Sequence, residues 1–308
     1  MSVLFFEAIA RPAIWGNTLV KNYFGYHSMP DGTGQTWAFS CDPKGSNVCE
    51  NGPFKGQTLA ELWRDHQELF GREGEPFPVI ISLVGPEDKL SVQIHPGDEA
   101  ARKLGFPFGK NEAWYFLDCP EGASIVYGHN ATSEDELRQL AAQDRWDEII
   151  RQLPVKSGDF VYTPAGTVHG VGAGCVTYEI QQATDVTYRF YDYHRTDAQG
   201  NERELHFEES VACIANYPQV HEPLPEPVVQ EAPGGDRTTF ISNDSFTVTR
   251  VRVDGTYRFD DPNYQLATVV AGTGRVDGVT VSIGDSFLIP MGEGATLEGC
   301  LTVMMTRK

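Results

Sequence analysis

Three short stretches bring together residue types that handle metal ions and protons. The first, GDFVYTPAGTVHG (158–170), carries His169 three residues past Gly166, after a Pro164–Gly166 bend. In the second, LSVQIHPGDE (90–99), alternation puts Ser91, Gln93 and His95 on one face of a strand and Val92 and Ile94 on the other. The third, GKNEAWYFLD (109–118), sets Lys110 and Glu112 at the mouth of a new strand. Imidazole, amide and carboxylate are nitrogen and oxygen donors. Such donors without a thiolate suit Zn²⁺, and also Fe²⁺, Mn²⁺ or Co²⁺. Taken singly, each residue has an ordinary alternative: an exposed strand amide for Gln93, a residue before proline for His95, a solvated strand start for Glu112, a loop histidine for His169. Further on, VTYEIQQATDVTYRFYDY (176–193) adds Glu179, on the face opposite Tyr178, Ile180 and Gln182, then Asp185 and Arg189.

Strands and turns must position these groups. The chain has 308 residues, with 17 Phe, 12 Tyr, 31 Gly and 19 Pro, a composition of many short strands and tight turns. FPVIISLVG (77–85), AWYFLD (113–118), ASIVYG (123–128), DFVYTP (159–164), CVTYEIQQ (175–182) and VTYRFYDY (186–193) read as strands. Helical spacing or capping signals predict helices over 58–71, 132–153 and 204–218. HEPLPEPVVQEAPGGD (221–236) is Pro-rich and acidic and reads as a linker. A weak repeat spans it. Gly158-Asp159…Pro164-Ala-Gly166 is echoed by Gly284-Asp285…Pro290-Met-Gly292, with Ala295 where the first copy has His169. The expected organisation is a domain over 1–220 that holds the site and the helices, a linker at 221–236, and a degenerate copy over 237–308.

A net charge of −19 excludes nucleic acid and anionic membrane surfaces as partners, and obliges a small anionic substrate to find a local cluster of Lys or Arg. Six scattered cysteines without a CxxC pair read as reduced thiols. The N-terminal MSVLFFEAIARPAIWG lacks a basic n-region and reads as a first strand, not a signal peptide, so the cytoplasm is the expected location. No apolar run approaches the length of a membrane span.

G-x5-P-x-G-x2-H resembles the second signature motif of the cupins, small jelly-roll barrels. The expected fold is therefore mainly β, a bicupin of two jelly-roll barrels with helices decorating the first. A cupin metal site draws its partners from an earlier hairpin, and Gln93, His95 and Glu112 stand where those partners belong, to join His169. LSVQIHPGDEAA, GKNEAWYFLD, TPAGTVHGVG and EIQQATDVTYRFYDYHR, in that order along the chain, look like the class I mannose-6-phosphate isomerases in their short bacterial form. WG at 15–16, GQTWAFS at 34–40 and FKGQTLAELW at 54–63 extend the likeness. The resemblance implies one Zn²⁺ on Gln93, His95, Glu112 and His169, other divalent metals being chemically acceptable. It implies a sugar-phosphate substrate, a monomer or homodimer, a catalytic Arg189 in the D-x-x-x-R pair with Asp185, and a role for Lys110 in ring opening or proton movement.

The implied reaction interconverts D-mannose 6-phosphate and D-fructose 6-phosphate through a cis-enediol. A Lewis-acid metal, a proton-carrying base and a cation near the sugar oxygens serve that chemistry. Glu179 and Asp185 are both candidates for the base. Ser91 matches a serine at the family's phosphate end. Ser82 stands where the family pattern often has a lysine, Gly109 where longer members have a histidine, and Gln35 and Asn17 replace a usual Glu and Gly. These departures leave open which cations hold the phosphate, and Arg195 and Lys103 are candidates. Two other function classes fit a metal-binding jelly roll: another metallo-cupin enzyme such as an Fe²⁺ oxygenase, and a non-catalytic or differently specific sugar-binding bicupin. Gln93 in place of the usual histidine disfavours the first. The intact ligand set and Arg189 disfavour the second.

Overall fold

The β-branched and aromatic runs do form strands, and the computed structural model describes residues 3–71, 75–196, 199–220 and 222–308. The chain begins with β1 (Leu4–Phe6), β2 (Ile9–Asn17), helix α1 (Leu19–Tyr23) and β3 (Thr33–Phe39). A small hairpin, β4 (Cys41–Asp42) and β5 (Gly45–Ser46), precedes α2 (Leu59–Asp65). Then come β6 (Val79–Val84), β7 (Val92–Ile94), α3 (Asp98–Lys103), β8 (Glu112–Asp118) and β9 (Ser124–His129). Helices α4 (Glu134–Ala142) and α5 (Trp146–Ile149) are followed by β10 (Ile150–Pro154), β11 (Phe160–Thr163), β12 (His169–Gly170), β13 (Val176–Gln182), β14 (Tyr188–Tyr191) and α6 (Phe207–Cys213). The C-terminal part is β15 (Val228–Ala232), β16 (Gly235–Ser242), β17 (Thr247–Asp260), β18 (Gln265–Val276), β19 (Val279–Ser282), β20 (Ser286–Ile289) and β21 (Gly294–Arg307).

Six strands form one sheet in the order β11-β8-β13-β6-β3-β2, and five form a second in the order β10-β9-β12-β7-β14. Trp114, Phe116 and Val161 of the first sheet pack with Ile125 and Tyr127 of the second, so the two lie face to face. An eight-stranded sheet, β1-β20-β18-β21-β17-β16-β15 with β19 beside β18, holds the C-terminal residues. Every residue of β6 and β13 is buried, because that sheet is covered on both faces. Tyr178 and Ile180 enter a core with Phe246, Val248, Leu266 and Met304 of the C-terminal sheet. The intervening Glu179 and Gln181 line a cavity on the other side. On the five-stranded sheet, Val92 and Ile94 turn outward against Leu137, Trp146, Ile149 and Val211 of the helical cover. Gln93 therefore turns inward. The chain is mainly β with few helices, and among the described residues no helix is long and apolar enough to cross a membrane.

The repeated motif keeps its geometry in both copies. Gly158 and Gly284 have φ of 92° and 96°, and Gly166 and Gly292 have φ of 82° and 72°, a region costly for any side chain. Asp159 accepts a hydrogen bond from the Lys156 backbone N–H and Asp285 from that of Ser282, closing equivalent turns. What differs is the filling. Ala295 is fully buried in an apolar cluster with Phe259, Val269, Phe287, Leu297 and Met305.

Several expectations need correction. The helix predicted over 58–71 stops at Asp65, with a 3-10 turn over Gln67–Leu69. A capping box at its start, Thr58 with Glu61, fixes the first turn. The helix predicted over 132–153 breaks at Asp144, which has φ 56°, and residues 150–153 join β10 instead. The helix predicted over 204–218 spans Phe207–Cys213 only. Of the predicted linker, His221 lies outside the described residues, and Val228–Ala232 is a strand. It pairs Ala232 with Gly235 across a Pro233–Gly234 turn, where Gly234 (φ 80°) has no room for a side chain beside the Thr256 carbonyl. At the other end Leu4–Phe6 leaves the expected first domain and pairs with β20.

Candidate active site

Strand register assembles one wall of the cavity. Gln93 of β7 lies directly opposite His169 of β12 on one side and Arg189 of β14 on the other. Partners in antiparallel register project to the same face, so Arg189, Gln93 and His169 form a row. The facing wall comes from β8 and β13, where Glu112 pairs with Gln181 and Trp114 with Glu179. Lys110 is tied just ahead of β8 by a hydrogen bond from its backbone N–H to the Pro96 carbonyl.

Across the gap, His95 Nε2 is 3.2 Å from Glu112 Oε1, and His169 Nε2 is 3.4 Å from Glu112 Oε2. Lys110 Nζ donates to Glu112 Oε1 at 2.7 Å and lies 3.2 Å from His95 Nε2. All four side chains are buried, and the donor atoms of His95, Glu112 and His169 lie within 4.8 Å of one another. His169 Nδ1 donates to the Thr167 carbonyl at 2.8 Å, which turns Nε2 toward the cluster. Burial, reinforced by the Lys110 ammonium, pushes His95 down to about 3, so its imidazole is neutral at pH 7. Burial alone would raise the Glu112 carboxyl. Lys110 and the two histidines outweigh that and hold it well below the ordinary carboxylate range. Two imidazoles and an ionised carboxylate converging in a buried site fit a divalent metal ion.

The other predicted residues fall into three positions. Ser91 and Glu179 are buried in the cavity wall. Glu179 accepts a 2.8 Å hydrogen bond from Trp114 Nε1, and burial together with the nearby Glu112 charge raises its carboxyl to about 7. Arg189 lines the cavity too. It donates from one terminal nitrogen to the Glu204 carbonyl at 2.6 Å, while its buried Nε has no partner among the described residues. Burial and the neighbouring Arg203 lower its pKa from the usual arginine value. Asp185 sits at the rim and pairs with Lys44 at 2.5 Å, not with Arg189. Arg195 and Lys103 do not line the cavity. Arg195 pairs with Asp192 and Asp88, and Lys103 with Glu99 one helical turn away.

The lining also includes residues to which the sequence gave no site role: Arg11 from an N-terminal strand, Arg203 from the segment before α6, and Trp15 and Trp37, which entered only as part of the family likeness. Arg203 donates twice to the buried Asp192, at 2.7 and 2.6 Å. The available signal was a lone arginine in an otherwise apolar first strand, Ile9-Ala-Arg11-Pro-Ala-Ile-Trp15.

The family model "phosphomannose isomerase type I, catalytic domain" matches residues 4–122, and "mannose-6-phosphate isomerase, cupin domain" matches residues 236–307. The chain is 40% identical to mannose-6-phosphate isomerase ManA of Bacillus subtilis (strain 168), over 96% of each chain. It is 37% identical to a mannose-6-phosphate isomerase of Streptococcus mutans, over 93% of this chain and 92% of that one. Among solved structures, the mannose 6-phosphate isomerase from Bacillus subtilis superposes with a TM-score of 0.95 at 34% identity, each chain covered completely.

Proposed function

The chain belongs to the type I phosphomannose isomerase family, and we propose that it interconverts D-mannose 6-phosphate and D-fructose 6-phosphate with one zinc ion held by Gln93, His95, Glu112 and His169. The observation that carries this reading is the buried convergence of His95, Glu112 and His169 beside Lys110. Gln93 joins the set because it stands opposite His169 in register.

A divalent ion held by these residues would supply Lewis acidity toward the reacting sugar oxygens. The protein's own groups do the rest. Glu179 carries the proton between C2 and C1. It is buried in the wall, its Oε1 is held by Trp114, and its carboxyl sits near about 7, where it both accepts and releases a proton at neutral pH. Asp185, paired with Lys44 at the rim, is less suited to that task. Arg189, which lines the cavity beside Gln93, directs N–H groups at the negative charge that develops on the enediolate. Lys110 supplies a proton donor for the sugar oxygens in ring opening. Ser91 contributes a hydroxyl to the substrate-facing wall.

The test is a coupled assay. Metal-loaded protein is mixed with mannose 6-phosphate, and fructose 6-phosphate is drawn into an NADPH-producing cascade. NADPH formation that depends on the protein and on its metal is expected. None would sink the reading, and stoichiometric iron with oxygen consumption would replace it.

A further inference from the structure

This inference rests on the function proposed above. An anionic substrate of a chain with net charge −19 needs an uncompensated cation in the site. Among the described residues four cations line the cavity: Arg11, Lys110, Arg189 and Arg203. Lys110 is matched by Glu112, and Arg203 by the buried Asp192. Arg189 stands opposite Gln93 in register, at the end of the cavity where the sugar oxygens react. Arg11 has no carboxylate partner among the described residues. Its guanidinium carbon lies 4.0 Å over the centre of the Trp37 ring.

We propose that Arg11, braced on Trp37, is the residue that binds the substrate phosphate. Stacking on an indole fixes the guanidinium plane and leaves its N–H fork free in that plane, the geometry that suits a phosphate oxygen pair. The floor of the cavity runs in register from Trp114 through Glu179 and Ser82 to Trp37. The metal cluster is at the Trp114 end, next to Glu112 on β8, and Arg11 is at the Trp37 end. From β8 to β3 is three strand spacings, roughly 14 Å. A six-carbon chain with its phosphate spans that gap together with two long side chains. Ser82 lies between the ends, fully buried, and its Oγ has no partner among the described residues. A serine there brings no charge, so the cation reaches the phosphate end from the neighbouring edge strand.

The experiment compares metal-loaded wild type, Arg11→Ala and Arg11→Lys on mannose 6-phosphate and on unphosphorylated mannose, and measures inhibition by inorganic phosphate. Arg11→Ala should lower the ratio of kcat/KM for mannose 6-phosphate to that for mannose by about 10- to 100-fold, the worth of a charge-assisted hydrogen-bond pair. The inhibition constant of inorganic phosphate should rise in parallel, and Arg11→Lys should recover part of both. If mannose is not turned over, the phosphate inhibition constant decides. A ratio and an inhibition constant within twofold of wild type would overturn this assignment while leaving the isomerase reading intact. A wild type that does not isomerise mannose 6-phosphate would overturn the isomerase reading and this assignment with it.

Discussion

Lys110 Nζ and Glu112 Oε1 are 2.7 Å apart, a buried ion pair made by two residues with only Asn111 between them. The pair keeps a carboxylate ionised beside two imidazoles without any counter-ion from solvent. Replacing one partner of such a pair leaves a buried, unpaired charge, which costs about 3–5 kcal/mol. Lys110→Met should therefore lower the unfolding free energy of the metal-free protein by about that amount in urea titration. Added Zn²⁺ should restore most of the loss, because a divalent ion takes over the compensation of Glu112.

His169→Ala tests the ligand assignment. The second copy of the motif folds with Ala295 at the matching place, so the Gly-Pro-Gly frame tolerates alanine. The variant should keep its far-ultraviolet circular dichroism, lose stoichiometric metal, and lose kcat/KM by about 10³-fold or more, since Lewis-acid stabilisation is worth several kcal/mol. Retained metal with lost activity would move His169 out of the ligand set.

Glu179→Gln and Asp185→Asn separate the two candidate bases. With Glu179 as the proton carrier, Glu179→Gln should lower kcat by about 10²- to 10⁴-fold. Metal content should stay as in wild type. Asp185→Asn removes a rim pair with Lys44 and should change kcat by only a few-fold. The opposite pattern would hand the role to Asp185.

Ala295→His is the reciprocal of the ligand deletion. The site is fully buried in an apolar cluster of Phe259, Val269, Phe287, Leu297 and Met305. An added imidazole would be overpacked and unpaired there, and the variant should lose about 2–4 kcal/mol of stability and gain no second metal. Metal analysis at two ions per chain would contradict this.

His129, away from the metal cluster, gives a pH signature. It is fully buried against the Tyr217 ring, and burial lowers its pKa to about 4 from an unfolded value near 6.5. Between those values the unfolded chain binds a proton that the folded chain refuses, so stability falls as pH drops from about 6.5 to 4. The slope should approach about 1.4 kcal/mol per pH unit for one proton. Denaturation midpoints across that range should show it, and His129→Gln should flatten the dependence.

Much of the site was legible in the sequence because strand alternation is local. The face shared by Ser91, Gln93 and His95, the opposition of Glu179 to Tyr178 and Ile180, and the Gly-Asp-…-Pro-x-Gly frame all follow from the two-residue period and from glycines at positive φ. The alanine in the second frame already marked that copy as lacking the histidine. Which strands become neighbours is a non-local matter, set by how whole sheets bury their apolar faces. The tertiary structure alone brought Arg11 and Trp37 to the far end of the cavity, gave Asp185 to Lys44 rather than to Arg189, and turned Arg195 and Lys103 away from the site. It also drew Leu4–Phe6 into the C-terminal sheet and folded Val228–Ala232 of the Pro-rich segment into an edge hairpin. Local period decides which way a side chain points; only the packing of sheets decides what it meets there.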